Sequence, residues 1–304
     1  MLGFRDRIKR HQNSQCPRIS AATLKKRIGA VQAIMSFAHQ ERWIPENVAA
    51  RIKISGYLSA GGGRRSFQDG ELRVLFGAPL FCEPGGWRSR RGAVTDRTLA
   101  WLFLLGLTSG ARLEEVGQAR LDDIKRDGDI LYIDVDDREF LGAPTPAGEI
   151  QKNLKNNSSR RLIPIHKYLT DLGLERYLAS LRNLGITRLF PDLQPDKLMR
   201  HTKEASRRAN RYIRRFVSTD ERLVFHSLRH RFKDEGRAER VQDSVLDRLC
   251  GHTPMSTGGR YGDGINLKFL KSELDRLMFA SVPWRELATI WARIDWDKEH
   301  TAPN

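Results

Sequence analysis

The run Leu99-Ala-Trp-Leu-Phe-Leu-Leu-Gly-Leu107 constrains this chain more than any other stretch, because it is uncharged and almost wholly apolar. It is about half of the ~20 residues that a helix needs to cross a bilayer, so it belongs inside a protein core. The neighbouring pattern supplies that core. Glu71 to Phe76 begins a helix, Thr98 to Leu107 is a buried one, and Leu113 to Ala119 continues after a glycine. Helical spacing resumes at 167–181, 197–216, 226–236, 241–250 and 267–279. Between these sets, Asp129-Ile-Leu-Tyr-Ile-Asp-Val-Asp136 alternates as a strand does, and Glu149 to Lys155 and Arg160 to His166 are two further strand-like runs. The expected fold is mainly α with a small three-stranded antiparallel sheet.

Charge then narrows the partner. Lys and Arg number 53 against 37 Asp and Glu, a net charge of +16. Of the cations 39 are Arg, whose planar fork suits phosphate better than a lysine does. Residues 1–66 alone hold thirteen basic and three acidic side chains. A polyanion is the partner class that such an excess fits. Cys16, Cys82 and Cys250 are odd in number and lack a CxxC, which fits a reducing compartment without disulfides or a zinc site. The first eleven residues are charged and show no secretory apolar region. The expectation is a soluble, cytoplasmic protein that does not enter a membrane.

Two domains are expected. In the first, Leu24, Ile28, Val31, Ile34, Met35 and Ala38 make an amphipathic helix beside the basic residues Lys25, Lys26 and Arg27, and a second short helix is expected after Pro45. Gly56 to Ser66, with Gly61-Gly62-Gly63 and Arg64-Arg65, reads as a basic linker. The boundary is placed there, giving 1–60 as a helical domain and 61–304 as the larger one, with a tail from about residue 265.

Thr108-Ser-Gly-Ala-Arg112-Leu-Glu-Glu115 sets an arginine directly after the apolar helix, with a carboxylate one turn on. An arginine leaving a core in this way needs a specific partner. A second constellation is His226-Ser-Leu-Arg229-His230, followed by Leu249-Cys-Gly-His252 and then Arg260-Tyr261. His226 and His230 could share a divalent ion, but Arg229 stands between them and no carboxylate joins them, so no metal site is expected.

Together these fragments resemble the tyrosine recombinase (phage integrase) family. Its first box, Gly-x-Arg-x-x-Glu, stands as Gly110 to Glu115, its second, His-x-x-Arg-His, as His226 to His230, and its third, Leu-x-Gly-His, as Leu249 to His252. Tyr261 falls at the spacing of the family's nucleophile. Lys155-Asn-Asn-Ser-Ser-Arg-Arg-Leu-Ile-Pro164 matches the hairpin that carries the family's lysine, with Lys152 the alternative alignment. The resemblance covers about residues 20–280 and implies a catalytic set of Arg112, Lys155, His226, Arg229, His252 and Tyr261.

What the resemblance implies agrees with the chemistry of these residue types. Metal-free cleavage of a phosphodiester needs cations around the non-bridging oxygens and an acid for the leaving oxygen. Arg112 and Arg229 supply the first, with His252 as a further donor. Tyr261 would attack phosphorus to give a 3′-phosphotyrosyl enzyme and a free 5′-hydroxyl, storing the bond energy so that no cofactor is required. Lys155 is the candidate acid and His226 the candidate base. Glu115 and His230 would orient the set, or serve the structure alone.

Duplex DNA is the implied substrate. Along 197–216, Arg200, Lys203, Arg207, Arg211 and Arg214 share one helical face, opposite Tyr212, Ile213 and Phe216. With Lys25, Lys26, Arg27, Arg64 and Arg65 they are the expected backbone contacts, which position without reading sequence. After the tyrosine the basic excess stops, since residues 263–304 carry six basic and seven acidic side chains. The stripe Leu267, Leu270, Leu274, Leu277 and Met278 packs in cis or, as the family implies, docks on a neighbouring subunit in a homotetramer with tail exchange. The family's first domain is longer, so here it is expected to be incomplete and to bind DNA weakly. Two other readings share the residues: DNA relaxation of the type IB topoisomerase kind, and a non-catalytic DNA-binding regulator.

Overall fold

The computed structural model describes residue 6 and residues 19–53, 63–87, 94–136, 160–252 and 266–301. The chain divides into two compact units, Met1–Gly62 and Gly63–Asn304.

In the first unit, α1 (Ala21–Gln40) starts where Ser20 accepts the Thr23 amide at 3.2 Å. Lys25, Lys26 and Arg27 are exposed on it, and so are the apolar Leu24, Val31, Ile34 and Phe37. The helix expected after Pro45 is not there; residues 41–51 form turns. Side chains have taken the backbone groups that a helix would use. Gln32 donates to the Ala49 and Ile52 carbonyls (3.0 and 3.2 Å), and Asn47 donates back to the Gln32 carbonyl and to Ser36.

The second unit is built around α4. Its elements run α2 (Asp69–Phe76), α3 (Pro79–Cys82), α4 (Asp96–Ser109), α5 (Leu113–Gly117), β1 (Ile124–Asp127), β2 (Ile130–Val135), β3 (Arg161–Pro164), α6 (Lys167–Asp171), α7 (Leu174–Asn183), α8 (Lys203–Phe216), α9 (Ser227–Ala238), α10 (Asp243–Cys250), α11 (Leu267–Leu274), α12 (Trp284–Trp291) and α13 (Trp296–Thr301). Every residue of α4 from Arg97 to Ser109 is buried. Thr95 caps the helix, and Asp192 accepts from the Thr95 amide and the Thr98 hydroxyl at 2.6 and 2.5 Å, securing its start. Gly106 lets α9 lie against it, since a Cβ there would stand 2.7 Å from the Phe225 ring.

Among the described residues the sheet is three-stranded and antiparallel in the order β1-β2-β3. Its membership differs from the sequence expectation. Ile124–Asp127 is a strand although only its first residue is buried, because the Gly128 turn (φ 58°) folds it back on β2. The run Glu149 to Lys155 lies outside the described residues. Two other boundaries move for stated reasons. The helix expected over 167–181 is two helices, broken where Gly173 takes φ 85°. The one expected from Lys197 begins at Lys203, because Asp196 accepts the amides of Leu198 and Arg200 and holds a turn there with Met199 at φ 56°.

The tail packs on its own core. Leu270, Leu274, Leu277, Phe279, Leu287, Trp291 and Trp296 are buried, and Trp291 meets Trp101 edge-on at 5.0 Å while donating to the Phe81 carbonyl at 2.9 Å. His166 fastens the same segment. Its Nε2 lies 2.9 Å from the Leu277 carbonyl and its Nδ1 accepts the Tyr168 amide at 3.3 Å, so Nε2 holds the proton of a neutral ring. No helix among the described residues is long and apolar enough to cross a membrane.

Burial pushes the His166 imidazole down to about 4. The unfolded chain therefore takes up this proton first, and the stabilisation, complete above the ordinary histidine value, is lost as pH falls towards 4. Comparing urea unfolding of the protein with His166→Gln at pH 7 and pH 4 should show the stability difference shrinking by roughly 3 kcal/mol.

Candidate active site

The site forms where α4 ends. Gly110 closes the helix in the left-handed region (φ 62°), a conformation open to glycine, and a Cβ there would meet the Phe232 ring at 2.5 Å and Cys250 Sγ at 2.9 Å. The turn delivers Arg112 to the start of α5. There Glu115 binds it twice, accepting from the Arg112 amide at 2.9 Å and from Nη1 at 2.6 Å. The pair is the i,i+3 pair that the spacing implied, but its carboxylate is buried, with 5% exposure.

A carboxylate at that depth needs more than one partner. Arg161 on β3 provides the second, with Nη2 2.8 Å from Glu115 Oε2. Burial alone would raise the Glu115 pKa; Arg161 first, then the bonds from Arg112, hold it below the usual carboxylate range. Arg161 Nε also donates to the Leu249 carbonyl at 2.7 Å, so one guanidinium ties β3 to α5 and α10. Sequence reasoning assigned no role to Arg161. It sits in the Ser-Arg-Arg-x-x-Pro run as one of two adjacent arginines, and no local pattern says which of them turns inward.

Arg229 lies on the first turn of α9, 5% exposed, and donates Nη1 to the Gly110 carbonyl at 2.6 Å. Its Nη2 is buried without a hydrogen-bond partner among the described residues. Arg112 Nη2 donates to the Gly251 carbonyl at 3.2 Å. Gly251 is left-handed (φ 68°), and a Cβ on it would stand 2.6 Å from Arg161 Nη1. His252 follows it, half exposed, with Nδ1 3.1 Å from Asp247 Oδ1. Arg112, Arg229, Glu115 and His252 thus share one network of bonds through Gly110, Gly251 and Arg161.

His226 is the residue before α9, and its ring meets that of His230 edge-on at 5.4 Å. Burial, then the charges of Arg64, His230, Arg229 and Arg112, push His226 down to about 4. It is neutral at pH 7 and able to accept a proton. His230 is exposed and is also pushed down, by burial first. Lys155, Lys152 and Tyr261 lie outside the described residues. Among the described residues, no group of three or more His, Cys, Asp or Glu could hold a metal ion.

The expected DNA contacts separate into kinds. Arg64 is exposed beside His226, whereas Arg65 pairs with Glu71 at 2.6 Å and Asp220 at 2.7 Å, clasping α2 to the loop before α9. Arg200 is bound to Asp196 at 2.6 Å off the end of α8, and Lys203 is 3.7 Å from the same carboxylate. On α8 the buried face is Ala205, Ala209 and Ile213, with Tyr212 and Phe216 only partly covered. Arg207 and Arg211 flank Glu204 yet stay 62% and 75% exposed at the side chain. Arg214 is half-buried and donates to the Asn210 carbonyl.

Comparison with known proteins adds three findings. The family model described as the phage integrase family matches residues 89–264, more than half of the chain. Among solved structures the chain is similar to the Tn1549 transposon integrase, solved in complex with a circular intermediate DNA. That match has 14% identity, covers 89% of this chain and 82% of that one, and has a TM-score of 0.52, a likeness of fold. It is also similar to the integrase from mycobacterium phage Brujita, at 17% identity over 90% of this chain and 79% of that one, with a TM-score of 0.44. No curated protein matches the chain.

Arg161→Met leaves the Glu115 charge buried with the Arg112 pair but without its partner from β3, and should lower stability by about 3–5 kcal/mol in urea unfolding. Adding Glu115→Gln removes the uncompensated charge. The double variant should therefore be more stable than Arg161→Met alone.

Proposed function

The chain belongs to the phage integrase family, and on that premise we propose that it is a site-specific DNA recombinase that cleaves and rejoins strands through a 3′-phosphotyrosine. One observation carries the reading. Among the described residues Arg229 Nη2 is buried without a hydrogen-bond partner, while Nη1 is anchored on Gly110, two residues from Arg112. A guanidinium fixed on one side, with an unused N–H donor on the other, is preorganised to bind an anionic oxygen once substrate reaches it.

In the proposed mechanism Arg112 and Arg229 bind the non-bridging oxygens of the scissile phosphate and offset charge as the pentacoordinate state forms. His252 adds a donor. His226, neutral at pH 7, accepts the phenolic proton as Tyr261 attacks phosphorus, and Lys155, or Lys152, protonates the departing 5′-oxygen. Glu115 orients Arg112. The reverse attack by a 5′-hydroxyl rejoins the strand without ATP.

The substrate is duplex DNA at the ends of a mobile element, for integration or excision in the cytoplasm. The exposed Arg207, Arg211 and Arg64 are the favoured backbone contacts of the larger unit, and Lys25, Lys26 and Arg27 those of the first domain, residues 1–60, with catalysis in 61–304. Four chains on two sites are the assembly. Because Leu270, Leu274 and Leu277 pack in cis, contact of the tail with a neighbour would fall to residues still exposed, Phe269 and Met278.

Incubated with a nicked suicide substrate bearing its own site, the protein should form a covalent DNA adduct that Tyr261→Phe does not form. Arg229→Ala should slow adduct formation about 10²- to 10³-fold. No adduct with the unaltered protein overturns the enzymatic reading. Replacing both Arg207 and Arg211 with Gln should make the slope of log affinity against log salt shallower by about 2.

A further inference from the structure

Asp247 and Lys233 have no part in the mechanism above, yet both converge on His252. Helix α10 ends in a two-bond closure: the Gly251 amide donates to the Arg248 carbonyl at 3.1 Å and the His252 amide to the Asp247 carbonyl at 2.9 Å. The closure folds His252 back over the residue five positions earlier. The Asp247 carboxylate receives the ring there, and Oδ1 lies 3.1 Å from His252 Nδ1 and 2.8 Å from Lys233 Nζ on α9. Asp247 therefore holds both the backbone and the ring of His252.

The direction of the ring bond follows from charge. Lys233 reaches Asp247 across the α9–α10 contact as an ion pair, with both side chains mostly covered. Partial burial would raise the Asp247 carboxyl, but the bonds from Lys233 and His252 hold it below its ordinary value, so it is ionised at neutral pH. An ionised carboxylate only accepts, so Nδ1 carries the proton. Neutral His252 then offers a bare Nε2, and only the cation offers Nε2–H as a donor.

The other charges near this ring are cationic. Arg229 and Lys233 face it from α9, Arg112 from the α5 start through the Gly251 carbonyl, and Arg161 from β3 beside Gly251. Burial first, then Arg229 and Lys233, lower the His252 pKa, against the raising bond from Asp247.

We propose that the Lys233–Asp247 pair is a positioning unit for His252. It anchors the imidazole through Nδ1, reserves Nε2 for the substrate phosphate, and decides by its two opposite charges how readily Nε2 carries the proton it donates. What Nε2 touches rests on the recombinase reading; the anchoring and the opposed charges do not.

The test uses the full chain and two readouts. Ring-proton NMR titration, with His252→Gln to identify the signal, measures the midpoint of His252 in the free protein. Single-turnover cleavage of the nicked substrate measures the alkaline limb of the pH profile. Asp247→Asn should move the His252 midpoint down, by about one unit, shift the alkaline limb the same way and slow cleavage at least about tenfold. Lys233→Met should move both midpoint and limb up, while Lys233→Arg keeps them in place. A purely structural pair would lower stability in both variants and leave the midpoint where it is; that result, or shifts of the same sign, overturns the proposal. Opposite midpoint shifts in a protein that forms no DNA adduct would uphold the positioning unit and count against the recombinase reading alone.

Discussion

The buried Glu115 carboxylate is the interaction on which the site depends. An anion at that depth is tolerated only with charged donors that satisfy both oxygens. Arg112 satisfies one oxygen from the same short helix, and Arg161 the other from the sheet. Because Arg161 also reaches the Leu249 carbonyl, the end of α10 is drawn to the same point. Arg112 closes the loop at Gly251, and Arg229 closes a second one at Gly110. Arg112 and Arg229, the cations proposed to bind a phosphate, are thus held by bonds to one anion and two backbone carbonyls. Their mutual repulsion is offset within the fold, and among the described residues one nitrogen of Arg229 keeps an unused donor.

This arrangement needs two glycines, and for the same reason. Gly110 and Gly251 each end a helix in the left-handed region, and each has a neighbour where a Cβ would stand, Phe232 in one case and Arg161 in the other. Each turn exposes a carbonyl to an arginine and passes the chain directly to a site residue, Arg112 in two steps and His252 in one. The glycines of the Gly-x-Arg and Gly-His motifs are the means by which two helix ends turn tightly enough to bring Arg112 and His252 to one place.

Much of this was legible in the chain. The apolar run at 99–107 marked the central helix because its burial needs no particular partner, only enough of them. Arg112, Glu115, His226, Arg229 and His252 were legible only together, through the resemblance of their motifs to one family; each fragment by itself is a common feature of a helix. Legibility failed where side chains compete with the backbone. Asn47 and Gln32 replaced a helix after Pro45 with bonded turns, Asp196 delayed the start of α8, and the Gly173 conformation split a continuous helical pattern in two. Strand β1 was missed because an edge strand with one buried residue has almost no alternation to detect.

By itself the sequence determined a mainly α fold with a small sheet and the family, and it marked the short segments that the fold brings together, because helical periodicity and motif spacing are local. Tertiary structure decided how the arginines and lysines divide their work. Arg65 clasps Glu71 and Asp220, Arg161 and not Arg160 reaches Glu115, and Lys233 meets Asp247, while Arg207 and Arg211 stay in water. A guanidinium or an ammonium has the same charge at every position. Its role depends on which carboxylate or carbonyl the fold brings within about 3 Å, and most of those partners come from other elements of the chain.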